Sequence, residues 1–371
     1  MNFTVTINKN KVITELVSSI SITGDITSLF LEGKIVINDI SSLLYNDIKT
    51  GMSVVIKIFD DKKTYELNTK VIKFNKIPGK KNLLRNVIEI YVISDWFFAS
   101  DPMTTCHTNN VSGIIDNIIK YKYKDSFKNF HIEVSEDSSR VRYQLYESSL
   151  AFMNRILKYG RINNLPVYLY PTLNGNLIFN GIYNMMSTSP KYSLVSPECN
   201  QINDLGGINN NYSIIYMNAY RMVSNVLDTN SKITTLISND LYVPSSIKMY
   251  RRVSLNSMEV NNSQSADTTS PKVVVAPWYQ TPEDSYSIAI RNNFEANLQS
   301  YTAVAIVKSI MIDALDVGSL IKIKLPNITD DSRTNSKSSL GEGNYIIKKN
   351  TINITPNDQS MRLELIQASR K

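Results

Sequence analysis

Residues Tyr143 to Tyr183 read YQLYESSLAFMNRILKYGRINNLPVYLYPTLNGNLIFNGIY. Ser148 or Ser149 can cap a helix here, because a serine hydroxyl accepts from the free amides of a first helical turn. Leu150, Met153, Ile156 and Leu157 then recur three and four apart, which predicts an amphipathic helix of about three turns. Gly160 reads as its left-handed stop. Val167–Tyr170 and Leu177–Phe179 are short apolar, aromatic-rich runs, and Asn174-Gly175 between them predicts a hairpin with a type I′ turn. The alternating Tyr and Phe side chains read as core or interface packing and not as a ligand-stacking surface. A helix therefore lies beside a hairpin in the middle of the chain.

Both flanks are β-rich. Upstream, Phe3–Ile7, Val17–Ile22, Leu29–Ile37, Met52–Phe59, Thr69–Phe74 and Val87–Ile93 alternate or run apolar with no helical period between them. Gly33 marks a bulge or a close approach, and the set predicts a small antiparallel barrel or sandwich. After Trp96 the period changes: Val111, Ile114, Ile115, Ile118 and Ile119 predict a helix that Asn109-Asn110 can cap. Asn211–Val223 reads as strand, and residues 254–272 are polar enough for an exposed loop, either a solvated excursion or a docking arm. A helix capped by Asp284 or Ser285, carrying Ile288, Ile290, Phe294 and Leu298, precedes strands that resume at Ala303.

The last seventy residues repeat the grammar of the first hundred. Leu315–Leu325 (LDVGSLIKIKL) can be laid on Ile48–Ile58 (IKTGMSVVIKI), each a turn glycine, Gly318 or Gly51, leading an apolar strand. Two further strands follow in each copy, Tyr345–Ile354 and Met361–Ile366 in the second, after a longer polar insertion over 327–344. The expected fold is mainly β with an α+β middle region: two small antiparallel β-barrels flanking a mixed α/β domain. The boundaries are 1–100 for the first barrel, 101–200 and 224–295 for the middle domain, and 201–223 with 296–371 for the second barrel. Three copies of a chain with two similar barrels would set six similar units around one axis.

Composition narrows the function. The chain has 371 residues, 42% hydrophobic and 20% charged, long enough for two or three cores. No run reaches the roughly 18 apolar residues of a membrane helix, and the first residues alternate as a strand does, unlike a signal peptide. The excess of 40 Lys+Arg over 33 Asp+Glu is scattered and not interleaved with aromatics as in a nucleic-acid groove. Cys106, Cys199, His107 and His131 are the only soft metal ligands, without metal-site spacing, and whether the cysteines pair is open. Glu133, Glu136 and Asp137 read as a solvated acidic turn. No nucleotide, esterase or zinc-protease motif occurs. No catalytic, cofactor-binding or metal-ligating residue is nominated, and no enzyme activity or cofactor is expected.

At this point the chain resembles the central baseplate hub proteins of contractile-tailed bacteriophages and the related hub portion of type VI secretion spikes. The resemblance rests on three matches in order: Leu29–Asp39 with the glycine-led Gly51–Phe59; Glu147-Ser148 through Phe152, Leu157 and Gly160 to Leu177–Phe179; and Val317-Gly318, Leu320–Leu325, Gly343-Asn-Tyr345 and Met361–Ile366. It implies that the flanking barrels are tube-like and that three chains form a homotrimer with a pseudo-sixfold ring. The ring would join the hexameric tail tube to the trimeric central spike in the baseplate of a virion, contact wedge proteins, and pass tape-measure protein and DNA without sequence-specific binding or stable membrane insertion. The chain ends at Lys371 with no fused needle, so the resemblance implies a separate spike protein. The alternatives are the hub of a tailocin or secretion-type contractile injection system, a tail-associated cell-wall hydrolase, or a host-binding adhesin.

Overall fold

Apolar–polar alternation makes each strand of the flanks one-sided, so these strands must share a core. The computed structural model describes residues 2–8, 11–39, 44, 47–59, 63–77, 86–99, 101–195, 212–217, 237–238, 248–249, 284, 287–288, 291, 302–307, 310–324 and 343–370. Cys199, the polar loop 254–272 and all but the last two residues of 327–344 lie outside them, as does most of the expected strand over 211–223. The first flank holds β1 (Asn2–Ile7), β2 (Lys11–Val12), β3 (Val17–Asp25), β4 (Glu32–Asp39), β5 (Ser53–Phe59), β6 (Thr64–Ile77) and β7 (Asn86–Ser94). The middle region holds β8 (Pro102–Asn109), α1 (Val111–Ile118), β9 (Asn129–Ile132), β10 (Arg140–Ser148), α2 (Ser149–Leu157), β11 (Arg161–Ile162), β12 (Leu165–Pro171), β13 (Asn176–Gly181) and α3 (Ile182–Ser187). Then come β14 (Tyr192–Val195), β15 (Tyr212–Met217), β16 (Ile237–Ser238), β17 (Lys248–Met249), β18 (Thr302–Val307), β19 (Leu320–Lys324), β20 (Gly343–Ile354) and β21 (Gln359–Arg370).

The fold is mainly β with an α+β middle region, and its two β flanks are halves of one curled sheet. Thirteen strands run in the order β15-β18-β21-β20-β3-β4-β7-β6-β5-β1-β2, with β19 on β20 and β14 on β19. The join is β20. Gly343–Ile346 of this strand pair with β19, whereas Lys349–Ile354 pair antiparallel with Asp25–Ile20 of β3. One core cluster accordingly runs from Val5, Ile35, Ile56 and Ile90 in the first half to Ile321, Ile347 and Leu363 in the second.

β12 explains how the middle region attaches. All seven of its residues are buried, because both of its faces are covered. Val167 and Leu169 join the helices α1 and α2, with Ile115, Phe152, Met153 and Trp96. Tyr168 and Tyr170 turn the other way onto Val317, Leu320, Ile346 and Ile366 of the second half. Each such side chain contributes about 1.5–3 kcal/mol of apolar burial.

The helix caps follow the sequence. Ser148 caps α2, accepting from Ala151 N at 3.1 Å, and Asn110 caps α1, accepting from Gly113 N at 2.9 Å. Two turn readings differ. Gly160 has no positive φ; α2 ends on Lys158 in right-handed geometry, and a Cβ at 160 would stand 2.7 Å from Val167 Cγ2. This glycine is needed for the close approach of β12. In the β12–β13 hairpin only Gly175 is left-handed (φ 89°), not both residues as a type I′ turn demands. Thr172 forms the turn instead, accepting from Gly175 N at 3.0 Å while its hydroxyl donates to Asn174 Oδ1. The pair in which both φ are positive is Asn163-Asn164, at 49° and 58°, between β11 and β12.

Gly33 is a close approach, its would-be Cβ 3.0 Å from Val92 Cγ2. The two aligned glycines share a left-handed backbone, φ 85° at Gly51 and 75° at Gly318, but not their surroundings. Nothing lies within 4 Å of a Cβ at Gly51, whereas one at Gly318 would stand 2.1 Å from the Tyr170 hydroxyl. Gly51→Val is therefore expected to cost about 1–2 kcal/mol of backbone strain, and Gly318→Val about 2 kcal/mol more from overpacking. Thermal melting of the two variants checks this, and equal melting temperatures would refute it.

Candidate functional site

The middle region carries an outer face that the core does not use. β8 and β10 pair with each other, with Val141 opposite Thr108 and Tyr143 opposite Cys106. Their inner face packs on α2: Gln144 is fully buried and the His107 ring stacks on Phe152 with centroids 4.9 Å apart. Their outer face leaves Val141 50%, Tyr143 59%, Leu145 68% and Tyr146 82% exposed. A bulge produces the last pair. The register passes from Gln144↔Thr105 to Glu147↔Met103, so Leu145 and Tyr146 both stand against Thr104. Alternation is thereby broken and two large side chains in succession reach solvent. Tyr146 has φ 50°, its amide bonded to Thr104 Oγ1 at 3.2 Å. A non-glycine residue there costs on the order of 1–2 kcal/mol. The outer edge of β10 is occupied: Arg155 Nη2 donates to the Tyr143 carbonyl at 2.6 Å, and the same guanidinium holds Glu147.

Behind this face the helical residues Asp284, Ser287 and Arg291 clamp the middle region. Arg142 donates to Asp284 at 2.9 Å, Arg161 to Ser287 Oγ at 3.1 Å, and Arg291 to the carbonyls of Leu157 and Val167. Arg291 also lies over the Tyr168 ring, 4.8 Å from its centroid.

A buried polar node ties the middle region to both β halves. Asp316 Oδ1 accepts from Leu173 N in the β12–β13 turn at 3.2 Å and from Val317 N at 2.9 Å, while Oδ2 makes no hydrogen bond. Burial pushes its carboxyl up to about 6, against the lowering effect of these amides and of neighbouring Asn350. Burial, with Asp316 nearby, also pushes the Tyr170 phenol up. Asn350 is fully buried on β20 and donates to the Leu315 carbonyl at 3.1 Å. Asp316 can serve as an anchor that accepts two amides from different regions.

The residues singled out for chemistry do not converge. Glu133 bonds His131 at 2.9 Å, Asp137 is buried and accepts from Val111 N at the start of α1, and Glu136 is exposed. Cys106 is a free, exposed thiol. Among the described residues no three of His, Cys, Asp and Glu gather as a metal-binding set. A cleft of about 420 Å³ between the first β half and the middle region includes Glu66, Asp95, Asp125 and Lys128 in its lining. Glu66 is paired with Lys57 at 3.0 Å, and burial raises the Asp95 carboxyl. The Tyr146 bulge and the Asp316 node carry no sequence motif, though an aspartate between Leu315 and Val317 is a buried acid in an apolar run.

No protein-family model and no curated protein matches the chain. Solved structures do. A tail protein from Neisseria meningitidis MC58 aligns with TM-score 0.57 and 12% identity over 99% of this chain and 97% of its own. The 43 kDa tail protein of prophage MuSo2 from Shewanella oneidensis aligns at 0.57 and 11% over 99% and 96%. The E. coli c3393 protein, a type VI secretion component with structural similarity to the T4 bacteriophage tail proteins gp27 and gp5, aligns at 0.53 and 9% over 100% and 79%. At these identities the likeness is one of fold, and it matches the fold expected from the hub resemblance.

The raised Asp316 carboxyl fixes a sign. The folded chain holds this proton up to about pH 6, while the group's ordinary value is 3.8. The contribution of this group to stability is therefore fully present below about pH 4, is lost as pH rises to about 6, and is level above it. Asp316→Asn keeps an acceptor for both amides and removes the buried charge. It is expected to flatten this slope and to stabilise the protein at pH 7 by about 1–3 kcal/mol, checked by denaturant titrations at pH 4 and pH 7. An unchanged slope would show that the carboxyl is not the source.

Proposed function

We propose that this chain is a structural hub subunit of a contractile tail. Three copies form a homotrimer whose six β halves make a pseudo-sixfold ring, joining the hexameric tail tube to the trimeric central spike and lining part of the genome-ejection channel. The observation that carries the reading is the end-to-end match in fold to tail proteins, with a sheet that supplies two similar halves per chain. Six similar units from three chains satisfy both symmetries with one sequence. β20 supports it further, since one strand paired to both halves fixes their spacing.

In this reading residues 1–100 and 201–223 with 296–371 are the tube-like units, and 101–200 with 224–295 the middle domain. The hydrogen bonds of Asp284, Ser287 and Arg291 to the middle region favour that assignment. Partners are the tube protein, the central spike protein and baseplate wedge proteins, with tape-measure protein and DNA in transit. Scattered positive charge suits a lumen that DNA must leave, because a dense basic lining would slow its exit. The role is non-enzymatic and its place is the tail baseplate of a virion. The fold shared with a type VI secretion component supports the hub of a related injection system as a second reading.

Light scattering on the purified chain is expected to give three times its 42.0 kDa mass, with rings in negative stain that capture tube and spike proteins. A monomer at every concentration that binds neither protein would falsify the proposal, and release of sugar or peptide from cell walls would favour a hydrolase in its place.

A further inference from the structure

The subunit contact itself has a location. We infer that the outer face of β8–β10, with Val141, Tyr143, Leu145 and Tyr146, seats on the Phe97–Phe98 surface of a second copy of this chain. The inference rests on the trimer proposed above and assigns its interface.

The first argument is area. Two tyrosines, a leucine and a valine this exposed present on the order of 500 Å² of side chain, more than half of the roughly 800 Å² each partner of a stable interface covers. An apolar face of this size is as large as the largest patch a monomer ordinarily carries, and such patches are often functional. The second argument is strain. The left-handed Tyr146 backbone gains a single amide bond, to Thr104 Oγ1, while its ring touches solvent, and it presents Leu145 and Tyr146 together.

The partner follows from symmetry. A closed ring of identical chains is built head to tail, so each copy needs two different, complementary surfaces. Among the described residues the other exposed aromatic cluster lies on the turn after β7. Phe97 and Phe98 pack edge to face with centroids 5.2 Å apart, Phe97 rests on Phe30, and both remain exposed. The Lys70 ammonium sits 5.3 Å above the Phe98 ring. Tyrosine rings suit that surface, since they bury apolar area and offer π faces to the same cation. Addition of a partner strand to β10 is disfavoured, because Arg155 already fills its outer edge at Tyr143.

The test uses the full chain and sedimentation velocity. Leu145→Asp and Phe98→Asp, each altering an exposed side chain, are expected to give folded monomers. Their equimolar mixture is expected to give a dimer, because one variant keeps the Phe97–Phe98 surface and the other keeps the β10 face. Tyr146→Gly relaxes the backbone, so it is expected to fold, yet to raise the trimer's dissociation constant about tenfold or more. A wild-type trimer with both Asp variants also trimeric overturns this assignment and leaves the hub proposal standing. Two monomeric variants that form no dimer on mixing overturn the pairing of the two surfaces. A wild type that never trimerises removes the trimer reading and the inference together.

Discussion

Backbone hydrogen bonding along β20 is the constraint on which the rest depends. A strand offers two edges, and β20 gives one to β21 along its whole length and divides the other between β19 and β3. The handover falls at Ile347–Lys349, where the ladder with β21 shifts register. There Gly318 N and Ile26 N donate to the carbonyls of Ile347 and Lys348, at 2.8 and 2.9 Å, so both carbonyls at the handover are paired. Were these groups unpaired, each would cost about 1–3 kcal/mol. The two halves are therefore joined through one strand.

Everything polar and buried near this point serves the same handover. Asn350 lies one residue into the β3 pairing, with Gly24 opposite it so that the amide side chain has room. Asp316 sits two residues before the left-handed Gly318 and reaches into the turn of the middle region at Leu173. The middle region is thus fastened at the same place where the halves meet, through two tyrosines of β12 and one carboxylate. A carboxylate in that position is a costly fastener at neutral pH, because burial disfavours its charged form.

How much of this was legible depends on the range of the interaction. Local signals read true: Ser148 and Asn110 act on amides three residues away, and Gly51 and Gly318 are left-handed because their own turns require it. Signals that depend on a distant partner did not. Gly160 reads as a helix stop and is a contact with β12. The Asn174-Gly175 turn is the local exception, since the Thr172 hydroxyl two residues away competes for it. The pairing of Ile352 with Ile22 spans the chain, and alternation shows which face is buried but not which strand lies beside it. The Tyr146 bulge is invisible for a related reason, since it exists only in the register between β8 and β10. The acids around Glu133 read as a solvated turn, yet Asp137 is spent on the first amide of α1.

The two aligned glycine corners show why the repeat is so faint. Both halves need a left-handed residue to turn into an apolar strand, and both keep glycine. At Gly51 the corner stands open, whereas at Gly318 the Tyr170 hydroxyl roofs it. The roof comes from the middle region, which packs on the second half through Tyr168 and Tyr170 and touches the first through Leu29, Phe30 and Trp96. Side chains around one corner are thus chosen by an interior contact, and around the other by solvent. The backbone plan can be common to both halves while their side chains answer to different neighbours, and that difference erases a repeat from sequence while leaving it in the sheet.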